Sequence, residues 1–252
     1  MKLTVVGCSG SLPGPESAAS CYLLEAPYEG RTFRLLLDLG SGALGPLQRY
    51  ADLAAIDAVA LSHLHADHCL DLCGFYVFRK FRPDGPLDPL PVYGPAGTAE
   101  RMARAYDLDP SPGMSAEFDF STYPDRDFSL GPFTVSVAAV DHPPPAYALR
   151  LSDGQRALVY SGDTGPCPAL EALAGGCDLL LAEAAFLERP GNPEHLHLTG
   201  RQAAETASRA GAGRLVLTHV PPWYSPADVL AEAGPHFEGD IELAAPGNQY
   251  DV

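Results

Sequence analysis

The chain has 252 residues, is 46% hydrophobic, and carries a formal net charge of −16 from 16 basic and 32 acidic side chains. The apolar content suffices for a sizeable core, and the length suits one α/β domain spanning 1–252. The acidic surplus repels nucleic-acid backbones, and no run reaches the ~18 apolar residues of a membrane span, so neither partner is expected.

In chain order, short β-type runs open the sequence at 2–7 (KLTVVG), 20–26, 33–40 and 57–63. A helix over 68–81 follows, then a strand at 91–95 and a helix over 97–106. Strands at 132–142, 147–152 and 156–163 lead to a helix over 168–175. A strand at 177–186 precedes a helix over 199–211, which Thr199 caps at its start and Gly211 at its end. A strand at 214–220 and a helix over 226–233 complete the series. The Pro/Gly-rich stretches 82–91 and 108–113 read as connections. Strands interspersed with helices predict two packed sheets with helices on the outer faces.

Cys8, Cys21, Cys69, Cys73, Cys167 and Cys177 form no CxxC pair, which suits free thiols in a reducing compartment. The string VVGC looks like a lipoprotein cleavage box, but the seven residues before Cys8 are too few for a signal segment. The expected location is the cytoplasm.

Residues 61–71, LSHLHADHCLD, crowd His63, His65, Asp67 and His68 behind an apolar run. His63 and His65, two apart, can face one point, while Asp67 and His68 open the next helix and face a second. Neutral imidazole and carboxylate are the ligands that zinc takes at ~2.0–2.2 Å, and the cluster suits a metal better than a packed core. Other apolar runs end the same way: Val140 precedes His142, Tyr160 precedes Asp163, Leu181 precedes Glu183 and Leu217 precedes His219. In α/β folds ligands gather beyond strand ends, where loops aim side chains at one point. Pro143 fixes the chain just past His142. Glu183 closes a strongly apolar strand and therefore needs a partner. His197, next to a helix start, is the chosen one, with His195 competing. Cys69 and Cys73 read as core thiols, and His236 as a surface residue. Arg79, Lys80 and Arg82 form the dense basic cluster, which fits a helix C-terminus meeting its dipole.

Taken in order, His63-x-His65-x-Asp67-His68, His142, Asp163 and His219 resemble the dinuclear ligand set of the metallo-β-lactamase superfamily. The resemblance covers nearly the whole chain. VVGCSGS, DLGSGAL, YSGDTG, LLAEAAF, HLTGRQAAETA and LVLTHVPP look like signatures of its ribonuclease Z-type phosphodiesterase branch. The implied fold is an αββα sandwich of two mixed sheets with helices outside. The implied ligand sets are His63, His65 and His142 for one ion and Asp67, His68 and His219 for the other, with Asp163 bridging. The AEAAF glutamate and the HLTG histidine carry over as the proton-transfer pair, Glu183 and His197. A carboxylate at the bridging position suits two divalent ions, zinc first and manganese also. The zinc β-lactamases of this resemblance place a cysteine at the second site, so Asp163 tells against lactam hydrolysis.

Ribonuclease Z carries a long basic arm between the third histidine and the bridging aspartate. Here only residues 143–162 lie there, room for a hairpin. The implied function is therefore a metal-dependent phosphodiesterase acting on a small phosphodiester, a cyclic nucleotide above all. Bacterial cyclic-nucleotide phosphodiesterases of this fold are the closest resemblance. Asp67 would also assist the attacking water, and Trp223 and Tyr224, just past His219, are candidates for an aromatic wall. A transfer-RNA 3′-endonuclease, a lactone or thioester hydrolase and a non-catalytic metal-binding scaffold are the alternatives. The expected partner is the small substrate, with a homodimer allowed.

Overall fold

The computed structural model describes all of residues 1–252. Strands β1 (Lys2–Ser9), β2 (Ala18–Ala19), β3 (Cys21–Tyr28) and β4 (Arg31–Leu37) precede the short helix α1 (Leu44–Leu47). Strand β5 (Ala58–Ala60) leads into α2 (Ala66–Cys69) and α3 (Leu72–Lys80), then β6 (Leu90–Gly94), α4 (Thr98–Ala105) and β7 (Phe118–Thr122). The second half runs β8 (Phe128–Leu130), β9 (Phe133–Ala139), β10 (Tyr147–Ser152), β11 (Ala157–Tyr160), α5 (Pro168–Leu173) and β12 (Leu179–Glu183). It continues with α6 (Gly200–Ala210), β13 (Arg214–Thr218), α7 (Pro226–Ala233), β14 (Asp240–Leu243) and β15 (Gln249–Asp251).

One sheet has the order β15-β1-β3-β4-β5-β6-β7, with β2 beside β1, and the other β14-β13-β12-β11-β10-β9-β8. Both are mixed: β3 and β4 pair antiparallel, β4 to β7 run parallel, and β11 to β14 run parallel beside the antiparallel β8 to β11. Side chains alternate between layers with the strand period of two. Along β3, Tyr22 and Leu24 enter the core between the sheets, while Cys21 and Leu23 enter the core under α3 and α4. Along β12, Leu179 and Leu181 face the inter-sheet core, and Leu180 and Ala182 face the core under α5, α6 and α7. Strands covered on both faces must be apolar throughout, which is why they read as continuous runs. Each leucine so buried contributes roughly 1.5–3 kcal/mol. The αββα sandwich expected from the sequence is the observed architecture.

Two expectations need correction. The helix expected over 68–81 is broken at Leu70–Asp71. The Asp71 carboxylate accepts the N–H groups of Gly42 and Leu44 at 3.1 and 2.8 Å, and the Leu39 N–H donates to the His68 carbonyl at 2.8 Å. The loop after β4 therefore takes groups that an unbroken helix needs for itself. Cys69 and Cys73 consequently fall on different helices, the first buried and the second half-buried. The strands missed are β2 and the four sheet edges, β7, β8, β14 and β15.

The basic cluster is used internally. Arg79 is buried and donates to the carbonyls of Glu117 and Asp88, Lys80 bonds the Tyr76 hydroxyl, and Arg82 pairs with Asp84. All six cysteines are free, and no helix is long and apolar enough to cross a membrane.

Candidate active site

Five strand ends meet at one edge of the sandwich. The loop after β5 carries His63 and His65, α2 carries Asp67 and His68, and His142 follows β9. Asp163 follows β11, Glu183 ends β12, and His219 follows β13. Close backbone approach makes this assembly possible. A Cβ on Gly40 would lie 1.9 Å from the Asp67 carbonyl oxygen, so only glycine lets the loop after β4 pack on α2. Gly162, at φ +58°, turns the chain so that Asp163 faces the cluster, and its own Cβ would lie 2.8 Å from Ser62.

The expected ligands form two groups whose donor atoms lie within 4.8 Å of one another: His63, His65, His142 and Asp163, and Asp67, His68, Asp163 and His219. In the first, His65 Nδ1 lies 3.0 Å from His63 Nε2 and 3.3 Å from His142 Nε2, and Asp163 Oδ2 lies 3.6 Å from His63 Nε2. In the second, His68 Nε2 lies 3.2 Å from Asp163 Oδ1 and 3.4 Å from Asp67 Oδ2. His219 Nε2 lies 3.3 Å from Asp163 Oδ2 and 3.7 Å from Asp67 Oδ2. A tetrahedron of ~2.0–2.1 Å metal–ligand bonds has edges of about 3.3 Å, close to these separations. His68 Nε2 and Asp163 Oδ1 are buried and hydrogen-bonded to nothing. The two atoms face each other 3.2 Å apart with no other partner, and a proton or a cation held between them would satisfy both. The residues present fit divalent cations, and Asp163 is the carboxylate shared by both groups.

Protonation of four of the five histidines agrees with that fit. Burial first, then neighbouring imidazoles, lowers His63 well below its ordinary value, and burial likewise lowers His65, His142 and His219. Neutral imidazole is the form that binds a cation. His68 differs: burial lowers it, but Asp163 and Asp38 outweigh burial and raise it well above. Burial raises Asp67 and Asp163, yet the facing histidines hold both below the usual carboxylate range.

Outer partners orient the rings, and the chief one escaped the sequence reading. Asp38 is fully buried and accepts the Ser62 N–H at 2.6 Å, the Ser62 hydroxyl at 2.7 Å, the Tyr160 hydroxyl at 2.6 Å and His68 Nδ1 at 2.7 Å. It thereby fixes the tautomer that leaves His68 Nε2 facing Asp67 and Asp163. Its signal was present, because Asp38 too ends an apolar run, Leu35-Leu36-Leu37. Ser20 and the Leu196 carbonyl pair with Nδ1 of His219 and His142 at 3.0 and 2.8 Å. Asp38→Asn should lower metal affinity by ~10–100-fold and stability by roughly 1–3 kcal/mol. Zinc titration and urea unfolding check this; unchanged affinity would remove Asp38 from the site.

Glu183 is fully buried and accepts the Thr164 N–H at 2.8 Å, the Ala185 N–H at 3.1 Å and His197 Nδ1 at 2.9 Å. With its oxygens so occupied it serves as a hydrogen-bond acceptor, although its carboxylate also comes within 4.8 Å of Asp163 and His197 donors. The His197 ring stands 5.5 Å from that of His142 and 5.7 Å from that of His219, between the two groups. Burial lowers His197, but Glu183 prevails and raises it to about 9. A capping box between Thr199 and Gln202 fixes the helix start beside it. The competitor, His195, is exposed and bonds Asp141 at 2.6 Å instead. The aromatic ring against His197 is Phe186, edge-on at 5.1 Å, whereas Trp223 is 60% exposed and Tyr224 lies beneath Arg189. His236 is half-buried near Glu205, away from the site.

Comparison with known proteins agrees with this geometry. The family model described as the beta-lactamase superfamily domain matches residues 34–220. Rv1339 of Mycobacterium tuberculosis is 43% identical over 258 residues, covering 100% of this chain and 92% of its own. The probable metallo-hydrolase YhfI of Bacillus subtilis is 32% identical over 251 residues, covering 98% of each chain. Its crystal structure superposes with a TM-score of 0.87 at 30% identity, covering 100% of this chain and 99% of that one. Ribonuclease Z of Mycolicibacterium gilvum is 33% identical over 275 residues, covering 96% of this chain and 93% of its own. The matched segment holds every candidate ligand from His63 to His219, and the chain belongs to the metallo-β-lactamase superfamily as a metal-dependent hydrolase.

Proposed function

We propose that the enzyme hydrolyses a small phosphodiester, a cyclic nucleotide, with two zinc ions that manganese can replace. His63, His65 and His142 would hold one ion and Asp67, His68 and His219 the other, with Asp163 shared. Ions held there supply Lewis acidity to a phosphoryl oxygen and acidify a water toward neutral pH. The remaining work falls to the chain. Asp67 accepts a hydrogen bond from the attacking water. His197, with Nδ1 engaged by Glu183, directs Nε2 and its proton toward the leaving oxygen.

The Glu183–His197 pair carries this reading. A ribose alkoxide is a poor leaving group and gains from a general acid, whereas a thiolate leaves readily without one. A metal-binding scaffold would have no use for a buried acid pair between two ligand sets.

Similarity to ribonuclease Z supports a second reading, transfer-RNA 3′ processing. Against it stand the net charge of −16, the basic cluster consumed by Glu117, Asp88, Tyr76 and Asp84, and the space between His142 and Asp163, filled by the β10–β11 hairpin. A polyanion bound through several phosphate contacts loses ~10³–10⁵ in affinity between ~50 and ~200 mM salt. A cyclic nucleotide brings one charge. The test is a panel on metal-loaded enzyme: 3′,5′- and 2′,3′-cyclic nucleotides, precursor tRNA, lactones, thioesters and a chromogenic lactam. Cyclic-nucleotide hydrolysis should lead and vary little with salt. Efficient 3′-trailer removal with inert cyclic nucleotides would overturn the reading. The free thiols and the absence of a membrane-crossing helix support a cytoplasmic location.

A further inference from the structure

Past His197 opens a cleft of about 320 Å³, lined by His197 but by none of the metal-type ligands. It lies at the low end of ligand-site volumes, room for one nucleoside-sized group rather than an oligonucleotide. Its position fixes its part in the reaction. A substrate whose phosphorus sits at the ligand groups must extend its leaving group past the acid, and His197 is the boundary between the two spaces.

The cleft wall includes the carboxylates of Asp141 and Glu188, engaged by His195 and Arg201, and that of Glu194, together with groups that keep spare binding capacity. Phe186 is half-buried, with its ring set against His197. Arg189 is exposed, its guanidinium rests 5.2 Å over the Tyr224 ring, and it pairs with no carboxylate or carbonyl. Asn192 spends its amide N–H on the Leu187 carbonyl, which leaves its Oδ1 as an acceptor. Gln202 spends its Oε1 on the Thr199 N–H, which leaves its Nε2 as a donor. The loop closes through His195, held at φ +58° and locked onto Asp141. A left-handed conformation at a non-glycine residue is strained, and such strain collects at ligand clamps.

We propose that this cleft binds the nucleoside on the leaving side of the phosphodiester, an inference that rests on the phosphodiesterase reading above. The base stacks on Phe186, Arg189 donates to base or ribose oxygens, and Asn192 and Gln202 present an acceptor and a donor to the base edge. The preference of the site is thus set in the segment 186–202 rather than at the metal ligands.

The test uses metal-loaded enzyme and inhibition of bis-p-nitrophenyl phosphate hydrolysis by the four nucleoside 5′-monophosphates and by inorganic phosphate. At least one nucleotide should bind ~10-fold or more tightly than phosphate, since stacking on an aromatic ring alone supplies on the order of 10-fold. Phe186→Ala and Arg189→Ala should each erase most of that margin while phosphate inhibition stays within about twofold. Phe186→Tyr should restore it. A wild-type enzyme that binds no nucleotide more tightly than phosphate would overturn the inference, as would a margin untouched by both alanine variants. An intact margin with inert cyclic nucleotides would instead sink the substrate reading and keep the pocket. Cyclic-nucleotide hydrolysis without any margin would do the reverse.

Discussion

Asp163→Ala should strip the enzyme of more metal than His142→Ala. Wild-type protein purified without chelator is expected to carry two equivalents, His142→Ala close to one, and Asp163→Ala well under one. The reason is geometric. Asp163 Oδ2 stands near His63 and His219 Nε2, and Oδ1 stands near His68 Nε2, so the carboxylate serves both groups, while His142 belongs to one. Losing an outer partner already costs ~10–100-fold in affinity, and losing a shared ligand should exceed that, with activity down by more than ~10²-fold. Removing Asp163 also leaves His63, His68 and His219 gathered in the interior, with Asp38 still on His68 and Asp67 still beside His68 and His219. A thermal melt should therefore accompany the metal analysis to separate lost binding from lost folding. Equal metal retention in the two variants would end the bridging assignment, and wild-type protein that takes up neither zinc nor manganese would end the dinuclear one.

The central strands were readable because burial on both faces demands an unbroken apolar run, and residues 21–24 of β3, 35–37 of β4, 179–182 of β12 and 215–217 of β13 are such runs. The site was readable for a related reason. A polar residue at the end of a fully buried strand has little use unless it faces something, and His142, Asp163, Glu183 and His219 all stand there. The edge strands β7, β8, β14 and β15 left a weaker trace, because one side of each is open to solvent and their residues mix polar with apolar. DIEL at 240–243 is an example: none of its residues is fully buried, and only its register with β13 makes it a strand. The break between α2 and α3 depends on hydrogen bonds from residues 39–44, which no local pattern displays. Asp38 obeyed the strand-end rule but lacked the histidine spacing that draws the eye, so its hold on His68 emerged only from geometry. Phe186 closes the LLAEAAF stretch without any local sign of a cleft beside it, and Arg189 was hidden in a loop with neither period nor motif.

His197→Ala should separate proton transfer from metal binding. The ring stands outside both ligand groups, so metal content should remain at the wild-type level. On cyclic nucleotides, whose ribose oxygen leaves poorly, kcat should fall by ~10²–10⁴-fold, the usual contribution of a positioned general acid. On bis-p-nitrophenyl phosphate the loss should be much smaller, because p-nitrophenolate departs with little need of a proton. Glu183→Gln is the companion variant, since it retains a hydrogen-bonding side chain but removes the charge that raises His197. The acid must hold its proton to act, so the rate on cyclic nucleotides falls as pH rises through the His197 pKa. Removing the charge lowers that pKa and should move the alkaline limb to lower pH, while the p-nitrophenyl profile stays in place. Equal losses on the two substrates in His197→Ala, or a loss of metal, would show that the ring supports the centre rather than donating the proton.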